Sequence, residues 1–256
     1  YNKSMPLQEE LEKQGVWLFR YRGTLPLVIL GIGGLLYFRT EMNPETFLLE
    51  DTQYEIYFNM ACVFISLIGL AIRVYTVGHS PKNTSGRNVE GQVAETLNIT
   101  GTYSIVRHPL YLGNFFLWLG PALITGNFWF VIAFCLLYWL YYERIMFAEE
   151  QFLRKKFGNS YITWAENVPA FIPNFSQFKK PDVPFNLKKV LKKEKNGLAA
   201  IFLIFCAFDI AGQFITHQKN YNSFLIVACA LTFLFYFLIK FLTKQTTLLN
   251  ETTSQQ

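Results

Sequence analysis

Charge is scarce in this sequence. Asp, Glu, Lys and Arg make up 16% of its 256 residues, well under the roughly 25% of an ordinary soluble domain. A soluble chain of this length needs polar residues over its whole surface, and here they are too few and too segregated. They sit in blocks between long apolar runs, the pattern a bilayer imposes. Histidine is scarcer still: there are three, far apart, and no Cys/His spacing supports a metal site. Cys62, Cys135, Cys206 and Cys229 all lie in apolar runs without a pairing motif and read as small apolar filler. No Gly-x-Gly-x-x-Gly follows a strand pattern, so the dinucleotide-type loop is missing. The first apolar run begins late and contains arginines, so no cleavable signal sequence is expected.

What is present is 52% hydrophobic and 18% aromatic, with a net charge of +5. The basic residues cluster beside apolar runs. That fits loops touching anionic lipid and argues against nucleic acid as a partner. The pattern predicts an all-α polytopic membrane protein with about six spans: 16–38, 56–77, 109–125, 128–147, 198–216 and 224–242. An interfacial helix covers 1–15. Gly126-Asn127 makes a sharp turn, so the third and fourth spans read as a helical hairpin. Loop 39–55 is acidic, whereas the N-terminal region, 78–108, 154–195 and the C-terminal end are basic. Both termini are therefore expected in the cytoplasm, together with the two long polar segments. Three parts follow: 1–77 with an amphipathic segment and two spans, 78–180 as a catalytic core, and 181–256 as a basic linker with two further spans.

Polar groups at the ends of buried spans are costly, so a dense set of them is a functional hypothesis. One set is Gly101-Thr-Tyr103-Ser-Ile-Val-Arg107-His108-Pro109-Leu110-Tyr111-Leu-Gly113, entering the third span. The other is Glu143-Arg144 with Glu149-Glu150, leaving the fourth. The hairpin should bring the two sets together at the cytoplasmic face. Pro109 suits the first turn of a helix, which sets Arg107 and His108 at its positive end, a suitable place for an anion. The loop around Arg87, rich in small residues, is a further candidate for binding a substrate head group. Asp209 and Gln213 share a face of the fifth span and could pair with Arg73 or line a tunnel. His217 reads as an interfacial loop residue.

From Leu97 to Pro173 the sequence resembles the isoprenylcysteine carboxyl methyltransferase and phospholipid methyltransferase superfamily. It reads L-N-I-T-G-T-Y-S-I-V-R-H-P-L-Y-L-G, an apolar hairpin, E-E-Q-F-L-R-K-K-F-G-N-S-Y, and a closing P-A-F-I-P. The resemblance implies a cytoplasmic pocket for S-adenosyl-L-methionine without a soluble nucleotide-binding fold. It implies cofactor contacts at Glu95, Leu97, Asn98, Tyr103, His108, Pro109, Leu110, Tyr111 and Glu149. Arg107, Arg144 and Glu150 are the candidate catalytic residues, and Arg144, together with Arg87 from the loop outside the resemblance, is a candidate for holding the acceptor. The acceptor implied first is the carboxylate of a lipidated, isoprenyl-type cysteine reaching the site from the bilayer. A lipid phosphate or amine is the alternative, and a non-catalytic membrane protein or transporter remains open. Such a protein would sit in a bacterial inner membrane or the endoplasmic reticulum, according to its source. One position departs from the isoprenylcysteine pattern, which has an arginine four residues before the first glutamate. Here that position is Ile145, and Arg144 is turned about 140° from Glu149 instead of about 40°.

Overall fold

The computed structural model describes residues 6–47, 49, 52–81, 94–217, 219–246 and 248–249. Eight α-helices are found among them: α1 Leu7–Arg20, α2 Leu25–Met42, α3 Glu55–Gly78, α4 Pro109–Leu123, α5 Phe128–Phe157, α6 Asn159–Ala165, α7 Leu187–Ile215 and α8 Ser223–Gln245. Among the described residues the one β pairing is an isolated bridge between Gly101 and Lys179. Helices α3, α5, α7 and α8 are long and apolar enough to cross a membrane. The described residues form an α-helical fold with four helices of membrane-spanning length and composition, which suits a membrane protein.

Three element boundaries differ from the sequence expectation. The predicted first span is broken at residues 21–24, between α1 and α2. Arg22, an arginine of that first apolar run, folds back on α1. Its Nη1 donates to the Phe19 carbonyl at 2.8 Å, and its guanidinium lies 3.8 Å from the centre of the Phe19 ring. That satisfies the end of α1 and lets the chain turn. The predicted fourth span and the polar segment 148–157 after it are one helix, α5, because nothing between Phe147 and Phe157 can stop a helix. It ends at Gly158, whose φ of 55° suits glycine. Finally, α7 starts eleven residues before the predicted fifth span. The Asn186 side chain accepts from the Lys189 amide at 2.9 Å, and this cap brings the lysine cluster into the helix.

Close packing of α3 on α4 sets the frame. A Cβ on Gly69 would fall inside the backbone of Gly113 and Leu117, and one on Gly120 would meet Ser66 and the Cys62 carbonyl. Small residues are how membrane helices approach when lipid gives them no hydrophobic drive to associate. Pro121 cannot donate to the Leu117 carbonyl one turn back. The Ser66 hydroxyl from α3 donates to that carbonyl instead, at 3.0 Å. The break in α4 is thereby satisfied within the bundle, as hydrocarbon requires. In the hairpin turn Gly126 has φ 64°, and Asn127 caps α5 by accepting from the Phe130 amide at 2.9 Å. Helix α1 lies against the C-terminal half of α5, with Gly15 seated on the Arg144 carbonyl. The Tyr141 hydroxyl of α5 donates to the Leu18 carbonyl of α1 at 3.0 Å.

Candidate active site

His108 occupies the N-cap of α4 with Pro109 behind it. Its backbone carbonyl accepts from the amides of Tyr111 and Leu112, each at 3.1 Å. The side chain is thereby thrown clear of the helix, towards α5. There Nε2 lies 3.0 Å from Glu150 Oε1, and Nδ1 lies 3.6 Å from Glu149 Oε2. Arg107 Nη1 donates to Glu150 Oε2 at 3.3 Å. The two polar sets read from the sequence do meet at the open end of the hairpin.

The imidazole is buried, with 5% of its side chain exposed. Burial alone pushes its pKa down. The hydrogen bonds and negative charges of Glu149 and Glu150 overcome this, and the net direction is up from the ordinary 6.5. The protonated ring can donate from both nitrogens, one to each carboxylate. Burial and the charge of Glu149 push the Tyr103 phenol up, with Arg73 pulling the other way. Tyr161 is also pushed up, by burial and then by Glu150. Tyr161 comes from α6, which the turn at Gly158 folds back beneath Glu150.

A ladder of rings continues from His108 into the membrane. His108 stacks on Tyr111 at 5.7 Å, Tyr111 meets Tyr142 at 5.1 Å, and Tyr142 stacks on Tyr138 at 4.2 Å. The Tyr138 hydroxyl donates to the Tyr111 carbonyl at 2.7 Å and locks α5 to the first turn of α4. These two tyrosines escaped the sequence reading. Their signal was spacing: Tyr138, Tyr142 and Glu149 fall at four and seven residues, one stripe of α5.

The Arg107 segment is held from outside by the chain after α6. The Arg107 amide donates to the Pro169 carbonyl at 2.9 Å, and the Asn174 amide to the Ile105 carbonyl at 2.9 Å. The Trp164 indole donates to the Tyr103 carbonyl at 3.2 Å. The remaining predicted residues are less central. Pro109 is buried and Leu110 half-buried in the first turn of α4; Glu95 is exposed, and Leu97 and Asn98 are half-buried on the segment leading in. Arg144 pairs with its neighbour Glu143 at 3.1 Å, while Ile145 is fully buried. Arg87 and its loop lie outside the described residues.

Arg73, expected as a possible partner of Asp209, pairs with Glu194. Its Nε and Nη2 each reach a Glu194 oxygen at 2.8 Å, and Nη1 donates to Asn114 Oδ1 at 2.6 Å. Asp209 lies fifteen residues further along α7, about 22 Å away, where it accepts from the Asn222 amide at 3.0 Å. Gln213 accepts there from the Asn220 amide at 2.8 Å. Both close the turn into α8. A small polar cavity between Glu41, Glu55 and Asp209 lies at this same end, away from His108.

Residues 57–160, which contain both halves of the His108 cluster, match the phospholipid methyltransferase family. The protein-S-isoprenylcysteine O-methyltransferase of Schizosaccharomyces pombe is 40% identical over 74 residues, 28% of this chain and 31% of that protein. A probable protein-S-isoprenylcysteine O-methyltransferase of indica rice is 29% identical over 126 residues, 49% of this chain and 64% of that protein. A cobalt-zinc-cadmium resistance protein of Cupriavidus metallidurans is 31% identical over 91 residues, 36% of this chain and 42% of that protein. The chain thus spans from 31% to 64% of the length of these relatives. No solved structure gives a significant match.

Proposed function

We propose that this chain moves a methyl group from S-adenosyl-L-methionine to an acceptor embedded in the membrane. The observation that carries this reading is the His108 imidazole held between Glu149 and Glu150 at the mouth of the α4–α5 hairpin, inside a segment of methyltransferase type. The residues fit the cofactor. Arg107 Nε is buried with no hydrogen-bond partner among the described residues, a donor suited to the cofactor's carboxylate. Glu149, with 32% of its side chain exposed, suits its ammonium or ribose hydroxyls. Tyr103 and Tyr111 offer aromatic faces to a cation. Pro109, Leu110, Glu95, Leu97 and Asn98 would line the remainder. When bound, the cofactor supplies a methyl group made electrophilic by positive sulfur. The chain's own part is to align the acceptor and exclude water. Glu150 orients His108 and keeps its proton in place. No general base is required for an acceptor that is already an anion.

The acceptor we favour is the carboxylate of an isoprenyl-type lipidated cysteine, in keeping with the names of the relatives. Methylation of a lipid phosphate or amine is the second reading. It is favoured by the buried Ile145 at the position where an arginine was expected. The topology we propose has six spans, α2, α3, α4, α5, α7 and α8, with α1 at the interface. Both termini and the pocket lie in the cytoplasm, and the functional division is 1–77, 78–180 and 181–256.

Calorimetry of the purified full-length chain with S-adenosylhomocysteine tests this. Saturable binding is expected in the wild type, and its loss in Glu149→Ala and His108→Ala with the fold retained. Absence of binding at millimolar ligand removes the enzyme reading. With radiolabelled cofactor, base-released methanol identifies a carboxyl ester, whereas retained label identifies an amine or a phosphate ester.

A further inference from the structure

We propose that residues 170–187 form a lipid-docking strap. Ile172 and Phe175 insert into the hydrocarbon edge of the leaflet on the His108 side, while Lys179 and Lys180 lie on anionic head groups. The inference rests on the chain being a membrane protein and is independent of methyl transfer.

The strap is fixed at several points and cannot fold away its own apolar side chains. Pro169, just before the strap, is held by the Arg107 amide and Asn174 by the Ile105 carbonyl, as described; the Lys179 amide also donates to Ser104 Oγ at 2.8 Å. The Gly101 amide donates to the Lys179 carbonyl at 3.0 Å. Depth comes from Phe171. Its ring meets Phe115 of α4 at 6.1 Å and Trp139 of α5 at 5.3 Å. Phe115 is six residues into α4, about 9 Å below its cytoplasmic end by the helical rise. The strap therefore dips to a level where the surroundings are acyl chains. At that level Ile172 is 78% exposed, and Phe175, three residues on, is 74% exposed. Phe178 and Leu187 are also exposed. Large apolar side chains this exposed on a fixed segment mark a surface that is covered.

Charge selects the occupant. Between residues 170 and 188 there are three lysines, Lys179, Lys180 and Lys188, all exposed, and a single acid, Asp182. Apolar fingers beside a basic rim fit a bilayer surface carrying anionic lipid.

The test uses the full chain in nanodiscs. Nitroxide labels at Ile172→Cys and Phe175→Cys are compared with one at the exposed Asn167→Cys, with the unsubstituted chain labelled in parallel to subtract its native cysteines. Collisions with oxygen should dominate over those with a water-soluble nickel chelate at positions 172 and 175, and the reverse should hold at 167. Replacing part of the phosphatidylcholine by phosphatidylglycerol should deepen the label at 175, and Lys179→Glu with Lys180→Glu should abolish that increment. Dominance of the chelate at 172 and 175 puts the strap in water and overturns the proposal. Exclusion of both reagents gives the face to a second copy or another protein, and also overturns it. An unchanged depth on adding the anionic lipid overturns the role of the lysines.

Discussion

At His108 two opposing forces act on one imidazole. Burial disfavours the charge, two carboxylates favour it, and the carboxylates prevail. A histidine whose pKa is raised by folding stabilises the protein fully below its unfolded value, near 6.5. That contribution is lost as pH rises through the higher folded value. The thermal stability of wild type over His108→Gln should therefore be greatest below pH 6.5 and shrink as pH rises above it. Parallel melting curves in detergent across that range measure this; an advantage that grows with pH would mean that the ring is neutral when folded. The same residue shows what could be read beforehand. Arg107-His108-Pro109 and Glu149-Glu150 stand out because two dense polar sets fall at the joined ends of one hairpin, where a lone snorkelling side chain would not account for them. The tyrosine ladder beneath them is hidden, because a tyrosine in an apolar run reads equally as packing or as an interface aromatic.

At the level of elements, the pairing of Arg73 with Glu194 joins α3 to α7 across 121 residues of sequence. No local pattern announces it: an arginine near a helix end looks like one that snorkels, and Glu194 sits unremarked among lysines. In the structure both Glu194 oxygens are taken and its side chain is 5% exposed. Removing one partner leaves an uncompensated buried charge, an effect of about 3–5 kcal/mol, whereas removing both is far milder. Glu194→Leu should thus lower stability by about that amount, and the double variant Arg73→Leu with Glu194→Leu should recover most of it. A double-mutant cycle by thermal or denaturant unfolding checks this; additive losses would show that the two side chains do not interact. The hairpin of α4 and α5 was legible because Gly126-Asn127 is a strong turn signal between two apolar runs. The break at residues 21–24 was not, since Arg20-Tyr-Arg22-Gly also suits a span with snorkelling ends. It is decided by Arg22 finding the Phe19 carbonyl and ring.

Taken as a whole molecule, the bundle divides its labour by depth. Its interior holds glycine contacts and one Ser66–Leu117 repair. The rim at the mouth of the α4–α5 hairpin holds Arg107, His108, Glu149 and Glu150, and the strap after α6 is tied to the segment leading into it. The acid pair belongs to both regions at once, because α5 runs unbroken for 30 residues. That is about 45 Å against a hydrocarbon core of about 30 Å. Glu149 and Glu150 therefore ride on the same stiff rod that is seated among the acyl chains, and no hinge separates the acidic end from the greasy one. A thicker or thinner bilayer must tilt or reseat that rod, and so shift the carboxylates against the imidazole on the shorter α4. Affinity for S-adenosylhomocysteine should pass through an optimum as the protein is reconstituted in lipids of increasing chain length, which makes the host membrane itself a tuning parameter of the pocket.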